Sequence, residues 1–255
     1  NVMSTLIMDP ETIDNADPLA PCFPINAAKM ASKLTKKRSG QAVGLVMRPC
    51  EIRAFVELIK LKQGTLDDIV IISLDCLGAF GNTDYNSFAK EDPMGSTRKF
   101  YEHVLEKKSE AIEGVDLASA CKVCEHPVSK NADINIGLYG MDYKSHLIVE
   151  AQTPKGEDVI APLSLEDPSE PSSRKQAIDS LVSDRTARRD DMFETVLKTT
   201  FNIEKLSTYL AKCVNCYNCR VACPVCYCKE CVFVTDVFDH DAFQYLQWAK
   251  RKGKI

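Results

Sequence analysis

Seven of the chain's twelve cysteines lie within nineteen residues, from Cys213 to Cys231, in the segment CVNCYNCRVACPVCYCKEC. This density of thiols constrains the fold more than any other feature of the sequence, because so many reactive groups need partners. The sequence does not open with the charged and then apolar stretch of a secretory signal. Cytosolic thiols are kept reduced, so the sequence predicts metal ligands or redox groups rather than a disulfide framework.

The first four of these cysteines have the spacing C-x2-C-x2-C-x3-C, and they are Cys213, Cys216, Cys219 and Cys223, followed by Pro224. This spacing is that of the bacterial ferredoxin run, which binds a 4Fe-4S cluster. The two-residue gaps allow a short loop to wrap a cubane, and the proline then turns the chain away. Zinc is the main alternative, but its ligands usually come as two pairs separated by a dozen or more residues. The spacing therefore favours an iron-sulfur cluster.

Three further thiols follow at Cys226, Cys228 and Cys231. In two-cluster ferredoxins the fourth cysteine of a run serves the other cluster, so a second cluster in the tail is also predicted. Seven thiols are one short of the eight that two cubanes need. The alternatives stay open: a ligand of another type, a thiol from elsewhere such as Cys22, or one cluster with unused cysteines.

Composition excludes several classes of function. The chain has 255 residues, 45% of them hydrophobic, so it is long enough for one large core or two unequal domains. Its 32 basic and 36 acidic residues are interspersed, with a net charge of -4, and they form no basic face for nucleic acid. No apolar run approaches the roughly 18 residues of a membrane span. We expect a cytoplasmic protein, and we allow for residues before Asn1, which is not an initiator methionine.

A β-α-β pattern follows the entry segment, which itself predicts a short helix capped by Asn26. Residues 41–47 alternate apolar side chains as a strand does, and apolar residues at helical spacing follow Pro49. The β-branched run IVIISL at 69–74 is typical of a buried parallel strand. If a right-handed crossover joins these strands, Cys50 and Cys76 both lie at the carboxyl edge of the sheet, where open α/β sheets bind ligands.

A second C-x2-C pair, Cys121 and Cys124, lies in the sequence ASACKVCEHP. With Cys50 and Cys76 it would place four thiols from three loops around one cluster inside the α/β domain. The structural alternative is that Cys50 and Cys76 are small buried apolar residues. Cys22, a lone thiol between prolines, is predicted to be structural, with ligation as its alternative.

The remaining segments predict structure but little chemistry. NADINIGLYGMD, HLIVEAQT and DVIAPLSL predict further strands. Residues 166–175 are rich in proline and serine and predict a linker, and mostly helical sequence leads from there to the cysteine tail. We therefore expect a mixed α/β domain over 1–165 and a small helical, ferredoxin-like domain over 166–255. No Walker or Rossmann glycine motif is present, and the four scattered histidines indicate no acid-base catalysis.

The chain contains, in this order, the blocks VGLVMRPCEIRAFVELIKLKQ, IISLDCLG, CKVCEHP with ADINIGLYG, and CVNCYNCRVACPVCYCKECVF. Together these blocks, over about positions 17–235, resemble the beta subunits of coenzyme F420-reducing hydrogenase and F420-dependent formate dehydrogenase. The resemblance implies a domain that holds FAD and an iron-sulfur cluster, with further clusters that pass electrons to a partner subunit of an anaerobic redox complex. In such proteins the flavin exchanges a hydride with the deazaflavin coenzyme. Related proteins also serve heterodisulfide-reductase-like assemblies, so the coenzyme stays open.

The resemblance also implies roles for single residues. The candidate ligands of the domain's own cluster are Cys50, Cys76, Cys121 and Cys124. The candidate residues of the flavin pocket are Arg48, Glu51, Arg53, Asp133, Gly137 and Gly140. The helix start at Pro49 offers unpaired amides, and the arginines offer cations suited to a pyrophosphate; the alternative is an ordinary salt-bridged helix start.

Two to three 4Fe-4S clusters and FAD are therefore the expected cofactors. The main hypothesis is an oxidoreductase subunit that passes electrons between a flavin, in hydride exchange with a soluble coenzyme, and clusters leading to a catalytic partner such as formate dehydrogenase or hydrogenase. The alternative is a pure electron-transfer relay of a heterodisulfide-reductase-like or electron-bifurcating complex without its own substrate site. A zinc-binding scaffold is a third hypothesis.

Overall fold

A computed structural model divides the chain into two compact units, Asn1–Val225 and Cys226–Ile255. The residues that the structure describes are 2–37, 40–93, 95–107, 109–166, 171–228, 230–231 and 234–252. In these ranges every helix is too short or too polar to span a lipid bilayer.

Six strands are found in the described part of the first unit: β1 (Val43–Met47), β2 (Ile69–Leu74), β3 (Ala111–Ile112), β4 (Val115–Asp116), β5 (Ile134–Gly137) and β6 (Ile148–Ala151). β3 and β4 form a small hairpin, and the other four form one sheet in the order β1-β2-β5-β6. β1, β2 and β5 are parallel, whereas β6 is antiparallel at the edge. The mixed α/β class and the two predicted parallel neighbours are confirmed.

The described residues form ten α-helices: α1 (Ala28–Thr35), α2 (Pro49–Lys60), α3 (Asn82–Phe88), α4 (Ser96–Lys107), α5 (Ser119–Lys122), α6 (Pro154–Ile160), α7 (Ser172–Thr200), α8 (Ile203–Leu210), α9 (Asn218–Ala222) and α10 (Ala242–Lys252). The last of these belongs to the second unit. Short 3-10 helices occur at Pro10–Asn15, Ala161–Leu163 and Asp236–Asp239.

The crossover helix α2 begins where the sequence predicts. Pro49 occupies its first turn, and the Glu51 carboxylate accepts hydrogen bonds from the backbone N–H groups of Arg48 and Ala27, each at 2.9 Å. One face of α2 buries Ile52 and Phe55 against α1 and the sheet. Each such side chain contributes about 1.5–3 kcal/mol by leaving water. This packing fixes the start of α2, and with it Cys50, at the carboxyl edge of β1.

A second core cluster lies beyond the carboxyl end of β2. The Phe80 ring packs edge-on against Phe88 and Phe100, with ring centroids 5.2 Å apart in both pairs. Leu181 of α7 packs against this cluster, as does Cys121 of α5. The long helix α7 is therefore part of the same core as the loops that carry the thiols.

One predicted strand is wrong. The segment DVIAPLSL, predicted as a strand, forms the end of α6 and a 3-10 helix over Ala161–Leu163. The Thr153 hydroxyl caps α6 by accepting a hydrogen bond from the Gly156 N–H, and Pro154 occupies the first turn. These local start signals outweigh the apolar run that follows them.

The compact units do not follow the predicted division at residue 165. The predicted helical region is confirmed as α7 and α8, but both belong to the first unit, which ends at Val225. The reason is that Arg174 and Leu181 of α7 pack into the first unit, Arg174 with 3% of its surface exposed. Residues 167–170 of the predicted linker lie outside the described residues.

Candidate functional site

Four thiols from three segments lie near the carboxyl edge of the parallel strands. Cys50 lies in the first turn of α2, Cys76 follows β2 by two residues, and Cys121 and Cys124 lie in and just after α5. We call these residues the four-thiol site. Burial raises the pKa of Cys50 to about 12, and the neighbouring Cys76, Glu51 and Cys124 add to the rise, although the residue keeps some surface exposed to solvent. Backbone hydrogen bonds also join the loop after β2 to the loop that carries Cys121 and Cys124, so these segments are neighbours.

The other thiols of the site show the same mutual influence. Burial raises the pKa of Cys76, the Arg48 guanidinium opposes this, and Cys121 and Cys124 raise it further. Burial likewise raises the pKa of Cys121, with Cys124 acting in the same direction and Arg185 and Arg48 against it. The four cysteines proposed for a cluster inside the α/β domain are thus neighbours in this structure, and their shared ligation of a cluster stays a prediction.

Hydrogen bonds between loops hold these segments in register. The Cys76 N–H donates to the Pro127 carbonyl at 2.7 Å, and the Ala118 N–H donates to the Ala79 carbonyl at 2.9 Å. The Tyr139 hydroxyl, which follows β5, donates to the Cys76 carbonyl at 2.9 Å. The loop after β2 and the C-x2-C loop thus form a single frame, and burying its hydrogen bonds makes the frame costly to distort.

A buried ion pair lies immediately behind this frame. Asp75 accepts two hydrogen bonds from the Arg174 guanidinium, at 2.5 and 3.1 Å, and the Arg174 and Asp75 side chains are 3% and 0% exposed. The backbone N–H groups of Leu138 and Tyr139 also donate to Asp75, at 2.8 and 3.0 Å. Sequence analysis missed both members of this ion pair. The only sign of the pair in the sequence is that Asp75 lies next to Cys76.

Gly137 and Gly140 make room for Arg174. A Cβ at Gly137 would lie 2.6 Å from the Arg174 Cζ, and a Cβ at Gly140 would lie 2.5 Å from the Arg174 Cα. Gly140 also has a φ of +69°, which L-residues rarely adopt. Both glycines therefore face the helix α7 in this structure.

A cleft of about 150 Å³ opens beside Cys76 at the same edge of the sheet. Arg48, Glu51 and Cys22 contribute to its lining. The Arg48 guanidinium donates to the carbonyls of Ala20 and Cys22, at 2.6 and 2.9 Å. Pockets that enclose whole ligands usually measure about 300–1,000 Å³, so this cleft can accept only part of a large cofactor.

The six residues predicted for the flavin do not converge on this cleft. Arg48 and Glu51 line it, whereas the other four are not among the described residues of its lining. The Asp133 carboxylate accepts from the Ile71 N–H at 2.8 Å and from the Thr153 hydroxyl at 2.6 Å, and Arg53 is exposed. Glu51 caps α2. The flavin roles of these six residues stay predictions.

The first four tail cysteines lie on a tight loop and the short helix α9. Asn215 and Tyr217 have φ values of 52° and 58°, so each two-residue gap between the first three cysteines contains one left-handed residue. Alternation of this kind turns successive backbone N–H groups toward one point, an arrangement found at many Fe-S sites. The Cys223 N–H donates to the Cys219 carbonyl at 2.9 Å, which ends α9 just before Pro224. The loop thus has the local shape that the ferredoxin spacing predicts.

The other cysteines differ in exposure. In the second unit, Cys226 is half-buried, Cys228 is exposed and Cys231 is buried. Cys22 is buried in the second core cluster, with its sulfur 4.0 Å from the Asn82 Oδ1. No three His, Cys, Asp or Glu residues in the described ranges are arranged around a single metal-ion position.

Residues 40–167, half of the chain, match the sequence model of a family described as the C terminus of the coenzyme F420 hydrogenase/dehydrogenase beta subunit. The chain belongs to this family. The matched segment contains the whole four-thiol site and ends before the tail. The resemblance seen in the sequence is thereby confirmed.

Two curated relatives are beta subunits of the same family. The F420-dependent formate dehydrogenase 1 subunit beta of Methanococcus maripaludis is 26% identical over 77% of this chain and 57% of its own length. The F420-dependent formate dehydrogenase subunit beta of Methanocaldococcus jannaschii is 26% identical over 92% of this chain and 64% of its own length. The chain therefore spans about three fifths of the length of these relatives.

A solved structure, titled as a xenon derivative of the F420-reducing [NiFe] hydrogenase complex from Methanosarcina barkeri, resembles this chain at a TM-score of 0.41 and 20% identity. The likeness covers 70% of this chain and 67% of that one. At this level it adds nothing to the family assignment.

The donors of the four-thiol site fit an iron-sulfur cluster. Thiolates are the ligands of such clusters, and the four cysteines come from three segments, two of which are joined by backbone hydrogen bonds. Arg48 and Arg185 act on the same thiols as cations, which favours the thiolate form that a cluster requires.

Proposed function

We propose that this chain is the iron-sulfur subunit of an F420-linked oxidoreductase complex, and that Cys50, Cys76, Cys121 and Cys124 hold a 4Fe-4S cluster inside its α/β domain. The observation that carries the proposal is the position of Cys50 and Cys76 just after the carboxyl ends of β1 and β2, with the loop of Cys121 and Cys124 hydrogen-bonded to the loop after β2. When bound, such a cluster supplies the transfer of one electron at a time. The relatives, which are subunits of F420-dependent formate dehydrogenases, support the redox class.

The residues of the chain have distinct tasks in this proposal. Cys50 and Cys76 ligate from the sheet edge, and Cys121 and Cys124 ligate from the C-x2-C loop. Arg174 holds the Asp75 carboxylate, which fixes the backbone N–H groups of Leu138 and Tyr139 behind the site. These fixed polar groups matter because reduction of a cluster adds negative charge, which the surrounding hydrogen bonds and charges must stabilise.

The tail supplies ligands for one or two further clusters. Cys213, Cys216, Cys219 and Cys223 lie on the loop with the left-handed residues, and Cys226, Cys228 and Cys231 follow. In this proposal the clusters carry electrons between the α/β domain and a catalytic partner subunit such as a formate dehydrogenase or hydrogenase.

The test is iron and sulfide analysis of anaerobically purified protein, combined with electron paramagnetic resonance (EPR) spectra of the reduced sample. We expect Cys121→Ser to remove about four irons per chain and one paramagnetic signal, because it removes one ligand of a cubane. The matched control is Cys22→Ser, whose sulfur is packed in the second core cluster, and we expect it to keep the full iron content. Equal iron content in Cys121→Ser and wild type would reject the four-thiol site as a cluster site.

The cleft beside Cys76 supports a second candidate, in which the subunit also exchanges hydride with a deazaflavin coenzyme through FAD. Arg48 in the cleft wall is suited to a phosphate or a carboxylate. Flavin extraction from the same preparation separates the two candidates. A flavin-free sample with its full iron content would leave the pure relay, whereas about one FAD per chain, lowered in Arg48→Gln but not in Arg53→Gln, would support hydride exchange.

A further inference from the structure

The helix α7 carries a second buried arginine, Arg185, beside the four-thiol site. The Arg185 side chain is 3% exposed, and its Nε donates to the Glu110 carboxylate at 3.1 Å. Its Nη1 donates to the Cys124 carbonyl at 3.5 Å, a contact to the backbone of a cluster ligand. Arg188, on the same helix, donates to the other oxygen of Glu110, but its side chain is 48% exposed.

Arg185 and Arg48 are cations that act on the thiols from within the protein. The Arg185 Nη1 reaches the backbone of Cys124, and Arg48 lies in the wall of the cleft beside Cys76. Arg48 directs its Nη2 to the carbonyls of Ala20 and Cys22. Arg185 is instead held against the C-x2-C loop itself, and Glu110, with 15% of its side chain exposed, offsets part of its charge.

We propose that Arg185 raises the reduction potential of the cluster in the four-thiol site, with Glu110 setting how much of its charge remains uncompensated. The inference rests on the proposed function of the four-thiol site. A single electron added to a cluster ligated by thiolates adds one negative charge, and net charge is one of the factors that set the potential. A buried cation is poorly screened by solvent, so Arg185 stabilises the reduced form more than an exposed arginine can.

The experiment is a redox titration of the whole protein, monitored by the EPR signal that is lost in Cys121→Ser. At the midpoint potential of the wild-type cluster, we expect Arg185→Gln to lower the ratio of reduced to oxidised cluster about tenfold. This is the effect of removing a unit charge roughly 10 Å away at an effective dielectric constant of about 20. That ratio corresponds to about 59 mV for one electron. The matched control is Arg188→Gln, which removes the same charge from the same helix and the same carboxylate, and we expect less than about a twofold change because solvent screens it.

A variant with the opposite sign keeps the inference testable if Arg185→Gln does not assemble. Glu110→Gln leaves Arg185 in place and removes the carboxylate that offsets part of its charge. The ratio of reduced to oxidised cluster at the wild-type midpoint potential should therefore rise. Equal shifts in Arg185→Gln and Arg188→Gln, or no rise in Glu110→Gln, would overturn the role of Arg185. A wild-type protein without the Cys121-dependent signal overturns the cluster itself, so the two failures are distinguishable.

Discussion

Removing the Arg174 guanidinium tests whether the buried ion pair behind Cys76 holds the first unit together. In Arg174→Met the aliphatic stem is retained, but Asp75 loses two hydrogen bonds from its only fully buried ionic partner among the described residues. Asp75 keeps donors from the backbone N–H groups of Leu138 and Tyr139 and from Asn135. The carboxylate is then left partly satisfied and without an opposite charge.

The expected cost follows from these contacts. Breaking a buried ion pair by removing one partner costs about 3–5 kcal/mol, because the remaining charge is uncompensated. The retained donors place Arg174→Met at the lower end, about 3 kcal/mol of unfolding free energy. For a unit of this size, that corresponds to a fall in the midpoint of thermal unfolding of roughly 6–12 °C.

Anaerobic thermal unfolding, followed by circular dichroism, measures this cost. The matched control is Lys198→Met on the same helix, where the ion pair with Glu194 has 70% and 68% of its side chains exposed. We expect the control to cost less than about 1 kcal/mol. Adding Asp75→Asn to Arg174→Met should recover part of the loss, because no buried charge then remains. A loss in Arg174→Met as small as that in Lys198→Met would refute the reasoning.

Three further predictions concern the backbone and the thiols. In denaturant unfolding, Gly140→Ala should lower the free energy of unfolding by at least about 2 kcal/mol more than Gly114→Ala. Both glycines have a positive φ, but only at Gly140 would a Cβ lie against backbone atoms. Equal losses would contradict the close packing of Gly140 on α7. In the metal-free chain at pH 8, Cys50 should be alkylated more slowly than Cys213 although both residues are exposed, because the raised pKa of Cys50 keeps its thiol protonated. Its rate should rise as the pH approaches about 12, and equal rates for the two thiols in mass spectrometry of timed digests would speak against this. Tyr217→Val should lower the amount of iron bound by the tail, whereas Tyr217→Asn should keep it, because asparagine tolerates a left-handed backbone and valine does not. Equal iron contents in the two variants would show that this backbone shape is unimportant.

Local patterns predicted the part of the fold that depends on neighbours in sequence. The run at 69–74 and the helix start at Pro49 are short-range signals, and they were enough to place Cys50 and Cys76 at one edge of the sheet. The strand predicted at 158–165 is wrong because the apolar run there follows a helix start signal at Thr153 and Pro154, which decides the local structure. The family resemblance added the pairing of Cys50 and Cys76 with the C-x2-C loop.

Contacts between distant positions could not be predicted in this way. Asp75 and Arg174 are 99 residues apart, and nothing in either local sequence marks a buried pair. The family resemblance makes Gly137 and Gly140 candidates for the flavin pocket, and only the structure shows that α7 lies against both of them. Arg185 lies in a helix of mixed charge, where only the packing of α7 separates it from the exposed Arg188.

The position of α7 in the chain has a consequence for biosynthesis. All four thiols of the site are translated before α7, and Arg185 follows Cys124 by about 60 residues, which takes roughly 3–12 s at usual elongation rates. During that interval the nascent domain lacks both the ion pair behind Cys76 and the cation beside Cys124. The loops that carry Cys76 and Cys124 therefore gain their full set of contacts only after α7 has been translated.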